Sequence, residues 1–282
     1  MKIAITGSDG FIGKHLTSSL QAISEKIEII ELSRKNGFDI TNDNFTDYPD
    51  FDILCHLAAK VFVPDSYENP YDFYKTNVIG TLNMLEVCRQ KKAKIVFLSS
   101  YVYGVPKYQP IDENHTIDSF NPYSNTKIIG EQLCKGYNID YHIPVVIIRP
   151  FNTYGPGQNE NFLMPLIIKQ ALNGKIELKD PSPRRDMVYI QDLIDAIIKS
   201  IFYTKSTFEI FNIGSGKSFS VEEIVNQVCD SFNKKIDVEY SGEIRQNEVK
   251  DTIADITKAK ELLDWEPKYT LEKGINELLD NK

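Results

Sequence analysis

Short runs of β-branched and apolar residues alternate with longer stretches of helical spacing through the first half of the chain. Residues 2–6, 27–32, 51–57, 94–99 and 145–149 are short, apolar and bounded by polar or turn residues, the pattern of strands buried on both faces. Residues 11–23 place apolar side chains at 11, 12, 16, 20 and 23, a helical spacing. Residues 71–89, with Ile79, Leu82, Leu85 and Val87 among their apolar positions, and residues 123–137 read as two further helices. Strands alternating with helices predict a parallel sheet with right-handed crossovers, a doubly wound α/β fold.

The texture changes after Pro150. Residues 151–157 and 180–185 are rich in turn formers and read as loops. Residues 189–203 and 221–232 read as helices, and 236–240 as a strand. No internal repeat or low-complexity tract is present. This part is expected to form a smaller α/β unit, interleaved with the sheet and covering one end of it.

Composition narrows the class. Of 282 residues, 41% are hydrophobic and 26% charged, with 15 Tyr and 15 Phe, enough to fill a sizeable core. The net charge of −8 speaks against a nucleic-acid surface but leaves room for local basic pockets. No stretch approaches the ~20 apolar residues that span a bilayer, and the first residues lack the features of a secretory leader. Cys55, Cys88, Cys134 and Cys229 are widely spaced, which suggests reduced thiols in a cytoplasmic protein rather than disulfides or a metal site. The four histidines are scattered; His56 reads as a packing residue.

Gly7-Ser8-Asp9-Gly10-Phe11-Ile12-Gly13 follows the first strand and opens the first helix. Gly7 permits a tight turn, Gly10 a close approach to a pyrophosphate and Gly13 close helix–strand packing. The helix N-terminus offers N–H groups and a positive dipole end to phosphates. The spacing does not fit a P-loop, and His15 stands where Ser or Thr would bind magnesium. A nicotinamide dinucleotide is the expected ligand. An acid ~20 residues beyond such a motif reads the ribose 2′-hydroxyl of NAD. Counting from Gly13 reaches Ser33, followed by Arg34 and Lys35, which suit the 2′-phosphate of NADP(H) better. Glu31, two residues earlier, keeps NAD(H) open as the alternative. Asp39 and Ile40 lie where such folds contact adenine.

Tyr123 and Lys127 form a YxxxK pair on one helical face. A phenol with a pKa of about 10 is a poor base at neutral pH. The Lys127 cation and an oxidised nicotinamide are expected to lower it, and three units correspond to roughly 4 kcal/mol. The tyrosine could then exchange a proton with a sugar or alcohol hydroxyl. Ser99 and Ser100 end the strand at 94–99, at the carboxyl edge where ligands bind in this fold.

With the glycine triplet, this set resembles the extended short-chain dehydrogenase/reductases, the NAD(P)-dependent epimerase/dehydratase family acting on nucleotide sugars. The resemblance runs over nearly the whole chain. His56-Leu57-Ala58-Ala59 is similar to the family's segment under the cofactor, and Asn77-Val-Ile-Gly-Thr81 to its NxxGT helix. Residues 149–156, 185–192, Arg245, Ala254-Asp255 and 263–267 resemble its later signatures. The resemblance implies Tyr123 as proton donor or acceptor, tuned by Lys127, which would also hold the nicotinamide ribose. It implies Ser99 as the catalytic serine, four residues before Tyr103, with Ser100 as competitor. Ser100, Tyr103 and Asn152 would contact the sugar or its phosphate. Arg185 and Arg245 would clamp the diphosphate, with Arg184 either a helper or a solvated charge. It implies a Rossmann unit of 1–150 plus about 186–214, a nucleotide-sugar unit of about 151–185 plus 215–282, and a homodimer.

Family dehydratases resemble one another in carrying Asp-Glu after the catalytic Ser/Thr, and Ser100-Tyr101 stand here instead; the glutamate of decarboxylating relatives is missing too. A hydride transfer at sugar C4 remains, by an NADPH-dependent 4-keto-6-deoxy sugar reductase or, alternatively, an NAD-dependent 4-epimerase. Retention of Ser99, Tyr123 and Lys127 disfavours a non-catalytic dinucleotide binder. Arg185 and Arg245 disfavour a reductase of neutral alcohols.

Overall fold

The structure, a computed structural model, describes residues 1–42, 44–118, 121–232, 235–244 and 248–280. A six-stranded parallel sheet is built from β1 (Lys2–Thr6), β2 (Glu28–Leu32), β3 (Ile53–His56), β4 (Lys94–Leu98), β5 (Val145–Pro150) and a later strand, 208–213, in the order β2-β1-β3-β4-β5 and then 208–213. Each strand splits its residues between the two faces, as side-chain alternation requires. Ile3, Ile5, Val96, Leu98, Val146 and Ile148 enter one core. Ala4, Leu54, Ile95, Phe97, Val145 and Ile147 enter the other.

Helices cover both faces. α1 (Phe11–Ile23) brings Leu16 and Leu20 to the first core. On the second face, α2 (Val63–Glu68) and α3 (Pro70–Tyr74) lead through a π turn, Lys75–Ile79, into α4 (Gly80–Lys91), beside α5 (Pro122–Tyr141). The single helix expected over 71–89 is thus three segments. Asn69-Pro70 starts a new helix, since Pro is favoured in a first turn and disfavours a helical residue before it. The π turn then places Asn77 inward.

The later elements are β6 (Asn152–Tyr154), α6 (Leu163–Leu172), β7 (Lys175–Leu178), β8 (Arg184–Tyr189), α7 (Ile190–Phe202), β9 (Phe208–Ile213), β10 (Ser218–Ser220), α8 (Val221–Asp230), β11 (Asp237–Tyr240), α9 (Thr257–Leu263) and α10 (Leu271–Asp280). β9 closes the large sheet, and α7 covers its first face beside α1. β10-β8-β6 and β11-β7 form two small sheets. The loop expected over 151–157 contains β6, because Asn152–Tyr154 pair with Met187–Tyr189. The loop expected over 180–185 ends within β8, whose Arg184 and Arg185 pair with Ser220 and Phe219.

One carboxylate ties this region together. Asp186, fully buried, accepts from the Ser215 amide and hydroxyl on one oxygen, and from the Gly216 and Ala254 amides on the other. Burial raises its pKa to about 6 against those donors, which favour the ionised form. Strand order reverses between β1 and β3, so the loops after these strands flank a crevice at the carboxyl edge.

Candidate active site

A cleft of about 480 Å³ occupies that crevice. It is lined by Gly7, Asp9, Gly10, Phe11, Ile12 and Gly13 after β1, by Ser33, Arg34, Phe38, Asp39, Ile40 and Thr41 after β2, and by Leu57, Ala58, Ala59, Lys60 and Val61 after β3. Gly7 takes φ +70°, open to glycine at little cost, and a Cβ there would come 2.9 Å from the Ala58 Cα. A Cβ on Gly13 would overlap the Gly7 carbonyl oxygen. Glu31 is exposed and is not among the lining residues, whereas Ser33 and Arg34 are. Lys35 pairs with Asp9 of the glycine loop at 3.7 Å.

The floor of the cleft is a hydrogen-bond chain. Thr6 Oγ1 accepts from the Leu57 and Ala58 amides and contacts His56 Nδ1 at 2.8 Å. The hydroxyl proton therefore goes to Nδ1, leaving the proton of the neutral ring on Nε2. Nε2 then donates to Thr81 Oγ1, and Thr81 donates to the Asn77 carbonyl. Burial drives the His56 pKa down to about 3, consistent with this neutral ring. Asn77 does not face the cleft. Its amide bonds both the Lys60 N–H and C=O and the Thr126 hydroxyl, so it fastens the loop after β3 to α5 rather than meeting a cofactor.

Tyr123 lies in the first turn of α5, which Asn121 caps by accepting the Ser124 amide. The Ser100 side chain lies near the Tyr123 phenol and favours its ionised form. Lys127 is buried and donates to the Leu98 carbonyl at 2.8 Å. Burial lowers its pKa to about 8. Burial also raises the Tyr123 pKa, with the nearby Ser100 side chain opposing. The Lys127 ammonium bonds the Leu98 carbonyl rather than the phenol.

The two serines diverge. Ser99 is buried and its hydroxyl is taken by Glu131, while the Ser100 side chain lies near Tyr123. Glu131 also accepts a forked pair from Arg149 at 2.9 and 2.6 Å. Arg149 further donates to the Tyr103 hydroxyl, which donates to Asn212. Tyr103 is fully buried in this network and presents nothing to a substrate, contrary to expectation. Asn152 donates to the Asp186 carbonyl at 3.3 Å. Arg185 pairs with Glu248 and donates to the Val249 carbonyl. Arg184 pairs with Glu223 at 3.0 Å. Arg245 lies outside the described residues. Among the described residues no cluster suited to a metal ion occurs, and no helix is long and apolar enough to cross a membrane.

Glu131 and Arg149 were not singled out as site residues from the sequence. Their signal was present: Arg149 is a lone charge in a strand buried at every position, and Glu131 continues the Tyr123–Lys127 spacing by four.

A glycine-rich switch-point cleft, with Tyr123, Ser100 and Lys127 gathered at the carboxyl end of the neighbouring β4, defines a dinucleotide-dependent oxidoreductase of the short-chain type. Residues 39–278 match the family model described as GDP-mannose 4,6 dehydratase. The chain is 34% identical to a putative UDP-glucose 4-epimerase of Methanocaldococcus jannaschii, over 99% of this chain and 97% of that one. It is 25% identical to a GDP-6-deoxy-D-mannose reductase of Pseudomonas aeruginosa, over 99% and 96%. The X-ray structure of Pal from Bacillus thuringiensis superimposes with a TM-score of 0.90 at 29% identity, covering 100% and 99%. The chain belongs to the NAD(P)-dependent extended short-chain dehydrogenase/reductases, the nucleotide-sugar epimerase/dehydratase family.

Proposed function

We propose that this enzyme is an NADP(H)-dependent reductase of a 4-keto nucleotide sugar, of the 4-keto-6-deoxy class. The observation that carries the cofactor choice is the lining of the cleft after β2: Ser33 and Arg34 face it and Glu31 does not. A hydroxyl and a forked cation suit a 2′-phosphate. When bound, the dinucleotide supplies the hydride. Tyr123 then gives its phenolic proton to the oxygen at C4, and the Ser100 hydroxyl holds that oxygen in line. Lys127 keeps a positive charge at the carboxyl end of β4. Arg185 takes the diphosphate, which exchanges places with the Glu248 carboxylate. Ser100 replaces Ser99 as the serine of this reaction. Whichever serine is counted from, Ser100-Tyr101 or Tyr101-Val102 follows it, so no acid stands where dehydratases carry Asp-Glu.

A 4-epimerase is the second reading, favoured by the 34% identity to the archaeal relative of that name. The deciding experiment measures the dinucleotide retained through purification, the affinities for NADPH and NADH, and NADPH oxidation with a 4-keto-6-deoxy nucleotide sugar. Little retained cofactor, an NADPH preference and turnover support the reductase. Near-stoichiometric retained NAD and interconversion of UDP-glucose with UDP-galactose would replace it by the epimerase. In either case Tyr123→Phe is expected to lower kcat by about 10²–10⁴-fold.

We also propose a cytoplasmic homodimer that associates through α4 and α5. Sedimentation should report twice the chain mass, and a monomer at micromolar concentration would refute the assembly.

A further inference from the structure

Three side chains on one face of α5, each four residues from the next, meet three consecutive residues at the end of β4. Lys127 donates to the Leu98 carbonyl, Glu131 accepts the Ser99 hydroxyl, and Tyr123 lies near the Ser100 side chain. Neighbouring side chains of an extended strand point to opposite sides. The backbone at Ser99 is still held in the sheet, its amide donating to the Ile148 carbonyl. Fastening Ser99 on one side therefore sends Ser100 to the other.

Glu131 is the post for that fastening, and is itself immobilised. Arg149 forks onto both of its carboxylate oxygens from β5, and the Tyr103 hydroxyl and the Glu113 carbonyl hold Arg149 in turn. Every one of these side-chain groups from Ser99 to Tyr103 is buried.

We infer that Glu131 is a positioning residue of the reaction: by taking the Ser99 hydroxyl it selects Ser100 as the serine that reaches Tyr123. The inference rests on the reading that Tyr123 transfers the proton. The charged and titratable groups around Glu131 are Lys127 and Cys134 on α5, Arg149 on β5, Tyr103 and Glu113 beyond β4, and Cys88 on α4 behind Cys134. These groups pull the test in opposite directions. Removing the Glu131 charge alone makes the surroundings more positive and favours phenolate. Releasing Ser100 removes a hydrogen bond that favours phenolate.

The experiment is a pH titration of tyrosinate ultraviolet absorbance in the enzyme saturated with NADP⁺ or NAD⁺, whichever binds more tightly. The Tyr123 signal is isolated as the difference from Tyr123→Phe. Glu131→Gln is expected to move that titration up by about one pH unit, as loss of one hydrogen bond to the charged form requires. Ser100→Ala should do the same, and Glu131→Gln should add nothing in the Ser100→Ala background. Ser99→Thr, which keeps a hydroxyl, should restore what Ser99→Ala loses. An unchanged or lowered titration in Glu131→Gln, or additive effects with Ser100→Ala, overturns the positioning role while leaving the Tyr123 reading intact. No Tyr123-dependent signal at all overturns both. Should Glu131→Gln fail to fold, Ser99→Ala breaks the same contact with the Glu131–Arg149 pair in place, and an unmoved titration there overturns the inference equally.

Discussion

His56 shows how a single ring can be fully used without touching a ligand. Each nitrogen has one threonine partner, and the proton count leaves room for the neutral form only. A folded-state pKa of about 3, below the usual value of 6.5, means that folding resists protonation. The sign follows: the stability contribution is fully present above pH 6.5 and is lost as the pH falls towards 3. The full shift corresponds to about 5 kcal/mol. Urea denaturation at a series of pH values should show stability falling below pH 6.5, and the slope should flatten in His56→Gln. An identical slope would show that other groups govern the acid limb. The sequence revealed His56 as a packing residue but not its partners, since Thr6 and Thr81 come from other elements. Ser99 and Ser100 mark the same boundary. Two adjacent serines look alike in a sequence, and only the position of Glu131 on α5 tells them apart.

Periodicity made the strands and first helix legible at the scale of elements. β1 and α1 have the bounds expected from spacing, because each is a complete pattern closed by glycines or polar residues. The π turn and β6 were not legible, because each depends on a partner remote in sequence. Gly13 illustrates a legible case with a sharp consequence. Gly13→Ala should abolish dinucleotide binding in a direct titration, since its methyl would displace the Gly7 carbonyl and with it the phosphate loop. Retained affinity would mean that the loop can yield. Lys94, at the start of β4, illustrates the opposite. Its ammonium donates to the Ser200, Ile201 and Tyr203 carbonyls at 2.6–3.0 Å, capping the C-terminus of α7. Lys94→Met keeps the stem but orphans those carbonyls, and should cost about 1–3 kcal/mol in chemical denaturation. A loss below a few tenths would show that water replaces the cap.

At the scale of the whole molecule the later part of the chain weaves in and out of the large sheet. The chain leaves the large sheet after β5, builds β6, α6, β7 and β8, returns through α7 and β9, and leaves again. Asp192 near the start of α7 accepts the Lys268 and Tyr269 amides, so the last segment is sewn to the helix that backs the cofactor sheet. The family signatures made this region recognisable, but its contacts required the fold.

One small contact bridges the two functions. His15, on the helix that opens the phosphate loop, bonds the Pro156 carbonyl at 2.9 Å, and a Cβ on Gly155 would sit 3.5 Å from Phe11. The loop that follows β6 thus rests on the helix end that lines the glycine-rich cleft. Under the proposed function, a dinucleotide and a nucleotide sugar bound on either side of this brace would exert mutual leverage, and thermodynamics makes the leverage equal in both directions. The factor by which a uridine or guanosine diphosphate tightens dinucleotide binding should equal the factor by which the dinucleotide tightens the diphosphate. Calorimetric titrations in both orders would measure it, and His15→Ala should bring it towards one. An undiminished factor would mean that the leverage runs elsewhere. With the brace intact, order of addition becomes a property of the fold: the first ligand bound partly sets the terms on which the second arrives.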